Sequence, residues 1–113
     1  MSGYLPAEIG VFTSLLALDV FSNLITGEIP NVLNKIPGLL FFDVESNFLT
    51  GPAFVDLSGL SDLKFYRVSS NRLTGSIPAS IGEMTSLVEL WMAKNSVTGT
   101  IPAEIENLSS LGT

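Results

Sequence analysis

The side chains best suited to chemistry in this sequence are aromatic and charged ones that recur at a regular spacing. Phe41 and Phe65 form one such pair, and Asp43 and Arg67 form another, with Trp91 one further period along the chain. Aromatic and arginine side chains supply much of the binding energy at protein interfaces, so the chemistry they suggest is noncovalent recognition. The full set of candidate binding residues is Phe21, Phe41, Asp43, Glu45, Phe65, Arg67 and Trp91.

Catalysis is a poor fit to the same sequence. The 113 residues contain no histidine and no cysteine, which removes the usual general base near neutral pH, the thiolate nucleophile and the commonest zinc ligands. The carboxylates are not arranged in an oxygen-rich loop of the kind that holds calcium. We therefore expect no enzyme activity, no metal site and no cofactor here, although a longer parent protein could carry a kinase domain.

The charge balance narrows the class of partner. The net charge of -6 and a pI near 4.3 argue against nucleic acid, which is bound by basic surfaces. The densest apolar runs, at 15–18 and 39–42, are far shorter than the roughly 20 residues that a membrane-spanning helix needs. A membrane contact is therefore expected only through parts of a parent protein that this chain does not include.

A 24-residue repeat indicates which elements must position the candidates. Four columns share this period: Asn23, Asn47, Asn71 and Asn95; Gly3, Gly27, Gly51, Gly75 and Gly99; Leu15, Leu39, Leu63, Leu87 and Leu111; and Pro6, Pro30, Pro78 and Pro102. The chain divides into full units at 15–38, 39–62, 63–86 and 87–110, with a partial unit at 1–14 and the start of another at 111–113. We expect the chain to be a fragment, because it begins and stops inside a unit.

Each column has a structural interpretation. The pattern LxxLxLxxN alternates apolar and variable positions, which is typical of a half-buried strand. The asparagine amides are expected to hydrogen-bond backbone groups of their own and the neighbouring turn, since a buried amide must be satisfied. The glycine column fits positive φ angles, and proline ends a backbone ladder because it lacks an N–H.

The second full unit departs from this pattern. It reads Gly51-Pro52-Ala53-Phe54 where the other units read Gly-x-Ile-Pro. We expect a bulge at this point on the side away from the strands, with Phe54 either tucked inward or exposed, and with the strands unaffected.

The consensus LxxLxLxxNxLTGxIPxxIxxLxx resembles the plant-type extracellular leucine-rich repeat, and the segments LTGSIPASIG and IPAEIENLSSL also look like repeat families of diatoms and related algae. Such repeats occur in the ectodomains of receptor-like kinases and in polygalacturonase-inhibiting proteins. The resemblance implies a leucine-rich-repeat solenoid: a right-handed coil with a concave parallel β-sheet and an irregular or 3-10 convex side.

In such a coil, residues one period apart become neighbours at about 4.8 Å, so the candidate residues would share the concave face. The expected function is recognition of a protein, peptide or glycan by part of a receptor-like or cell-surface protein. Two alternatives are a secreted inhibitor of cell-wall-degrading enzymes and a structural or adhesive wall protein. For the patch itself, the alternative is that the aromatics only stabilise the sheet and the acids are solvated.

Location follows from the same resemblance, which implies an extracellular or cell-surface protein. Asn107-Leu108-Ser109 is a glycosylation sequon consistent with secretion. Asn107 is therefore a candidate modification site.

Overall fold

The structure is a computed structural model that describes residues 2–11, 15–20, 23–57, 59–109 and 111. The chain winds as a coil of short strands and 3-10 helices. The strands are β1 (Ser2–Tyr4), β2 (Ala17–Asp19), β3 (Leu24–Thr26), β4 (Phe41–Asp43), β5 (Phe65–Arg67) and β6 (Glu89–Trp91). The 3-10 helices span Ala7–Val11, Leu33–Lys35, Ala79–Glu83 and Ala103–Asn107.

The main sheet contains one strand from each full unit. Its four strands are parallel and follow the order β2-β4-β5-β6. Each strand pairs with the next in the register of the repeat, as Phe41 does with Phe65. The middle residue of β4 and of β5 is fully buried, whereas the flanking residues point to the opposite face. The predicted concave sheet and its register are confirmed.

A second backbone ladder runs beside the main sheet, and the sequence did not predict it. It begins with the parallel pairing of β1 with β3 and continues as bridges from Glu28 to Thr50 and from Pro52 to Thr74. The N–H groups of Phe48 and Arg72 donate to carbonyls of the preceding turn at 2.9 and 2.8 Å. The threonine hydroxyls of this ladder add bonds to glycine carbonyls, as Thr74 does to Gly51 at 3.2 Å.

The asparagine column forms the predicted hydrogen-bond ladder inside the coil. The Asn47 side-chain nitrogen donates to the carbonyls of Val20, one turn earlier, and of Val44, in its own turn, at 3.0 and 2.9 Å. Its side-chain oxygen accepts from the backbone N–H groups of Asn23 and Ile25, both at 3.1 Å. Asn71 and Asn95 repeat this arrangement in the following turns. Each amide therefore joins two successive turns.

Left-handed backbone conformations recur in two columns. The predicted glycines adopt positive φ, for instance 77° at Gly51 and 86° at Gly75. The residue before each of three ladder asparagines is also left-handed, with φ of 58° at Ser46, 58° at Ser70 and 55° at Lys94. A residue with a Cβ pays a steric penalty in this region, which glycine avoids.

Replacing Lys94 with glycine is therefore expected to raise the free energy of unfolding by about 0.5–1 kcal/mol, because the relief of left-handed strain exceeds the entropy lost by glycine. Urea unfolding followed by circular dichroism measures the change. Lys64→Gly is the matched control, since Lys64 is also exposed but is not left-handed. The control is expected to lose stability, and a loss in Lys94→Gly as well would contradict the strain argument.

Aromatic side chains fill the space that the irregular second unit leaves in the core. Ala53 occupies the inward position that isoleucine holds in the neighbouring units, which leaves a gap in the core. The ring of Phe54 turns inward and stacks on Tyr66 with a centroid distance of 5.6 Å, and Tyr66 stacks on Phe42 at 5.3 Å. The Tyr66 hydroxyl donates to the Ala53 carbonyl at 2.6 Å. Of the two expectations for Phe54, the inward one is therefore the one observed.

The core is continuous along the coil. Apolar side chains at the start of each strand segment meet those from the opposite side of the coil, as Leu39 and Leu63 join Leu33 and Leu57 in one buried cluster. Within the described ranges, no helix has the length and apolar character required to cross a membrane.

Candidate ligand-binding face

The concave face brings together most of the residues predicted from the sequence. Phe41 and Asp43 lie on β4, Phe65 and Arg67 on β5, and Trp91 on β6, all in positions that point away from the core. Glu45 lies just beyond the end of β4 and is half-buried. Phe21 lies outside the described residues.

Arg67 is the centre of this group. The central carbon of its guanidinium lies 4.5 Å from the ring centroid of Trp91, 5.1 Å from that of Phe41 and 5.3 Å from that of Phe65. The two phenylalanine rings contact each other at 5.5 Å with an interplanar angle of 51°. We call these four side chains the aromatic–arginine cluster. A cation held against several rings is stabilised by their quadrupoles, so the cluster is a fixed platform.

The carboxylate that holds Arg67 is chiefly that of Glu89, which is outside the predicted set of binding residues. Glu89 Oε1 accepts from Arg67 Nε at 2.9 Å and from Nη2 at 2.6 Å. Asp43, which lies directly across the sheet from Arg67, makes a longer ion pair, at 3.7 Å from Nη1 to Oδ2. Hydrogen bonding to Glu89 raises the pKa of the Arg67 guanidinium above its already high value. The signal for Glu89 was its place in the same repeat column as Phe41 and Phe65.

The two remaining acidic candidates have different environments. Asp43 is only 5% exposed, and its Oδ1 accepts from the backbone N–H of Glu45 at 3.0 Å. Asp43 is thus occupied in supporting the turn and Arg67. Desolvation, followed by the negative charge of Asp43, raises the pKa of the Glu45 carboxyl above its usual range, while Ser69 and Arg67 oppose the shift.

This arrangement is suited to noncovalent binding. Trp91 presents 37% of its surface, and two carboxylates are half-buried on the same face: Glu89 on the same strand and Glu45 just beyond β4. A flat aromatic surface next to partly desolvated carboxylates can bury apolar groups and pair with donors or cations of a ligand. In the part of the chain that the structure describes, no three acidic side chains converge as metal ligands.

A cavity lies beside β6, at the last described turn of the coil. It has a volume of about 710 Å³, and its walls include Ser69 and Trp91 from the concave face together with the apolar side chains of Leu90, Met92 and Val97. These three apolar side chains belong to the core column of the coil and not to the concave face, and Trp91 is the member of the aromatic–arginine cluster that also lines the cavity.

Asn107, the candidate glycosylation site, lies at the last position of the 3-10 helix Ala103–Asn107 and is exposed. Its side-chain nitrogen is 3.0 Å from the point where a Cβ on Gly82 would lie, so it rests against the preceding turn. Modification of Asn107 stays a prediction.

Comparison with known proteins finds the same kind of coiled repeat fold in solved structures. The family model described as Leucine Rich Repeat matches residues 86–108. No curated protein sequence matches the chain. The plant peptide hormone receptor RGFR1, solved in complex with RGF2, is similar over 97% of this chain and 18% of its own, with 35% identity and a TM-score of 0.90.

Two further solved structures are informative. The Arabidopsis receptor kinase HAESA, in complex with the peptide hormone IDA and the co-receptor SERK1, is similar over 96% of this chain and 18% of its own, with 33% identity and a TM-score of 0.91. A plant ice-binding protein is similar over 95% of this chain and 35% of its own, with 28% identity and a TM-score of 0.87.

These similar proteins share one fold but differ in what they bind. The chain spans 18% of the length of both receptors, and one coil serves both hormone binding and ice binding in the relatives. The features of this chain that carry the assignment are the repeat columns, the parallel main sheet and the asparagine ladder. This chain is a run of leucine-rich repeats of the plant extracellular type.

Proposed function

We propose that this chain is a non-catalytic recognition module of a receptor-like protein and that it binds a protein or peptide on its concave face. The observation that carries the proposal is the aromatic–arginine cluster at the centre of the main sheet. Its guanidinium is already held by Glu89 at 2.6 Å, so the cluster is preorganised before any ligand arrives. Preorganisation lowers the entropy that binding must overcome.

The similar structures support the proposal of a peptide or protein ligand. RGFR1 and HAESA are described in complex with RGF2 and with the peptide hormone IDA, respectively. By analogy, we assign this chain an extracellular or cell-surface position and a peptide or protein ligand. The analogy is one of fold and repeat type, and the side chains of this face determine which ligand is accepted.

The face also predicts the character of that ligand. The carboxylates of Asp43, Glu45 and Glu89 outnumber the single guanidinium of Arg67 on the described part of the face. A ligand with an apolar side chain for Trp91 and a hydrogen-bond donor or cation for Glu45 matches this distribution.

The test uses a phage-displayed random peptide library selected on the immobilised chain. Peptides enriched on the wild type are expected to lose at least about tenfold in affinity for the Trp91→Ala variant, because exposed interface tryptophans are typical anchors of binding energy. Glu45→Gln should weaken the same peptides with little effect on folding, since glutamine keeps the size of the side chain and one hydrogen-bond acceptor. Leu24→Ser, which changes an exposed apolar residue of β3 outside the concave face, is the matched control.

Two results would overturn the proposal. One is that the enriched peptides bind Trp91→Ala and Glu45→Gln as tightly as the wild type. The other is that only Leu24→Ser abolishes binding, which would place the binding surface on the second ladder. Circular dichroism of each variant separates a loss of binding from a loss of fold.

A further inference from the structure

A groove with a volume of about 450 Å³ lies between the first and second full units, on the segment that leads from the second ladder toward the convex side. Its apolar lining includes Pro30 from one turn, and Pro52 and Phe54 from the next. None of these residues belongs to the concave face. The groove is therefore a separate surface feature.

The irregular second unit creates this groove. Phe54 stands where the other full units carry proline, and Pro52 stands where they carry a polar residue. One face of the Phe54 ring is fixed by stacking on Tyr66 at 5.6 Å, so the ring is a rigid part of the groove. Proline has no N–H, which reduces the number of backbone donors that the groove can offer.

Two carboxylates border this apolar floor. The Glu28 side chain lies over Gly51, where a Cβ would come within 2.6 Å of Glu28 Cδ, so the absence of a side chain at Gly51 makes room for it. Asp56 is positioned by the preceding turn: its backbone N–H donates to Asn31 Oδ1 at 2.8 Å, and its Oδ2 accepts from Asn34 Nδ2 at 3.3 Å.

The charged side chains described in the lining of the groove are all negative. Among the described residues that line it, Glu28 and Asp56 are acidic and none is basic. The whole chain carries a net charge of -6, so the surroundings add to the negative potential. An occupant must therefore combine an apolar body with a positively charged end.

We propose that this groove binds a lysine or arginine side chain that projects from a protein partner. The methylene stem packs on the two prolines and Phe54, while the charged end reaches the carboxylates of Glu28 and Asp56. Long basic side chains have this division between apolar stem and charged head. Partner contact at this groove is distinct from ligand binding on the concave face, and the two surfaces can be occupied together.

The probes are N-acetyl-arginine methylamide and N-acetyl-lysine methylamide with a free ε-amino group, titrated into the ¹⁵N-labelled chain and followed by NMR. N-acetyl-norleucine methylamide supplies the uncharged control. We expect saturable shifts of the Gly51, Phe54 and Asp56 amides with at least one basic probe, and shifts at least about fivefold smaller with norleucine. A single side chain should bind with a dissociation constant in the millimolar range, on the order of 1–10 mM.

Glu28→Gln tests the charge contribution with little risk to the fold, because Glu28 is exposed. It should weaken the basic probes at least about threefold, and Glu28→Gln/Asp56→Asn should remove saturable binding. Glu45→Gln on the concave face should leave the groove titration unchanged. Equal shifts with norleucine, shifts confined to the concave face, or full retention of binding in the double variant would each refute the groove as a basic-side-chain site. None of these outcomes depends on whether peptides bind the concave face.

Discussion

Replacing Asn47 with alanine is expected to lower the free energy of unfolding by about 3–5 kcal/mol, a large part of the roughly 5–15 kcal/mol typical of a domain. Asn47 is only 5% exposed, so water cannot take over its hydrogen bonds. Alanine leaves the backbone N–H groups of Asn23 and Ile25 without their acceptor, and Ile25 itself is 2% exposed. The carbonyl of Glu45 also loses its donor at 3.2 Å.

Urea unfolding measured by circular dichroism and by tryptophan fluorescence gives this free energy. Asn34→Ala is the matched control, because Asn34 makes an exposed side-chain bond of 3.3 Å to Asp56 and is outside the ladder. The control should lose less than about 1 kcal/mol. Equal losses in the two variants would show that the ladder amide contributes no more than a surface amide.

Replacing Tyr66 with alanine is expected to cost about 3–5 kcal/mol, as for other fully buried aromatic residues. Tyr66 is 0% exposed and stacks between Phe42 and Phe54. Its removal opens a cavity at the point where Ala53 already provides less volume than the isoleucine of the other units. Tyr66→Phe keeps the stack and removes only the hydroxyl, which leaves the Ala53 carbonyl without its 2.6 Å donor and should cost about 1–3 kcal/mol.

The difference in stability between the wild type and Tyr66→Phe is expected to depend on pH. Burial raises the pKa of Tyr66 above its ordinary value of 10.0. Above pH 10 the unfolded chain releases this proton while the folded chain retains it, so the stability that Tyr66 contributes is intact below pH 10 and declines as the pH rises further. Tyr66→Phe should therefore lose less stability than the wild type between pH 9 and pH 11. Equal losses in both proteins would contradict the assignment of a buried, neutral tyrosine.

The sequence predicts the main sheet because its signals repeat. Residues such as Phe41 and Phe65 occupy equivalent places in successive units, and a parallel register of one full period follows from that equivalence. The asparagine bonds are predictable for a similar reason, since a buried amide has few partners other than the backbone of adjacent turns. These features depend on residue type and period alone.

The second ladder could not be predicted in this way. Its partners are separated by slightly less than one full period, as Ser2 is from Leu24 and Glu28 is from Thr50, so they do not occupy equivalent positions of the repeat. That stagger arises from the path of the backbone between the strand and the convex side. No column of the sequence encodes it.

The sequence predicts which residues lie on the candidate face better than it predicts which of them contact each other. Asp43 and Trp91 flank Arg67 directly across the sheet, whereas Glu89 is diagonal to it. The long arginine side chain reaches the diagonal carboxylate because the guanidinium lies over the phenylalanine rings of the adjacent column. Side-chain torsions of this kind depend on local packing, which the spacing of residues does not specify.

The asparagine ladder has a direction. Asn47, Asn71 and Asn95 each accept a hydrogen bond from the turn before them, at Ile25, Leu49 and Leu73 respectively. Loss of one turn therefore leaves backbone N–H donors of the preceding turn without their acceptor. The turn that follows keeps its own amide. Tandem duplication of one full period preserves this pattern, because each copied turn supplies its amide to a matching neighbour.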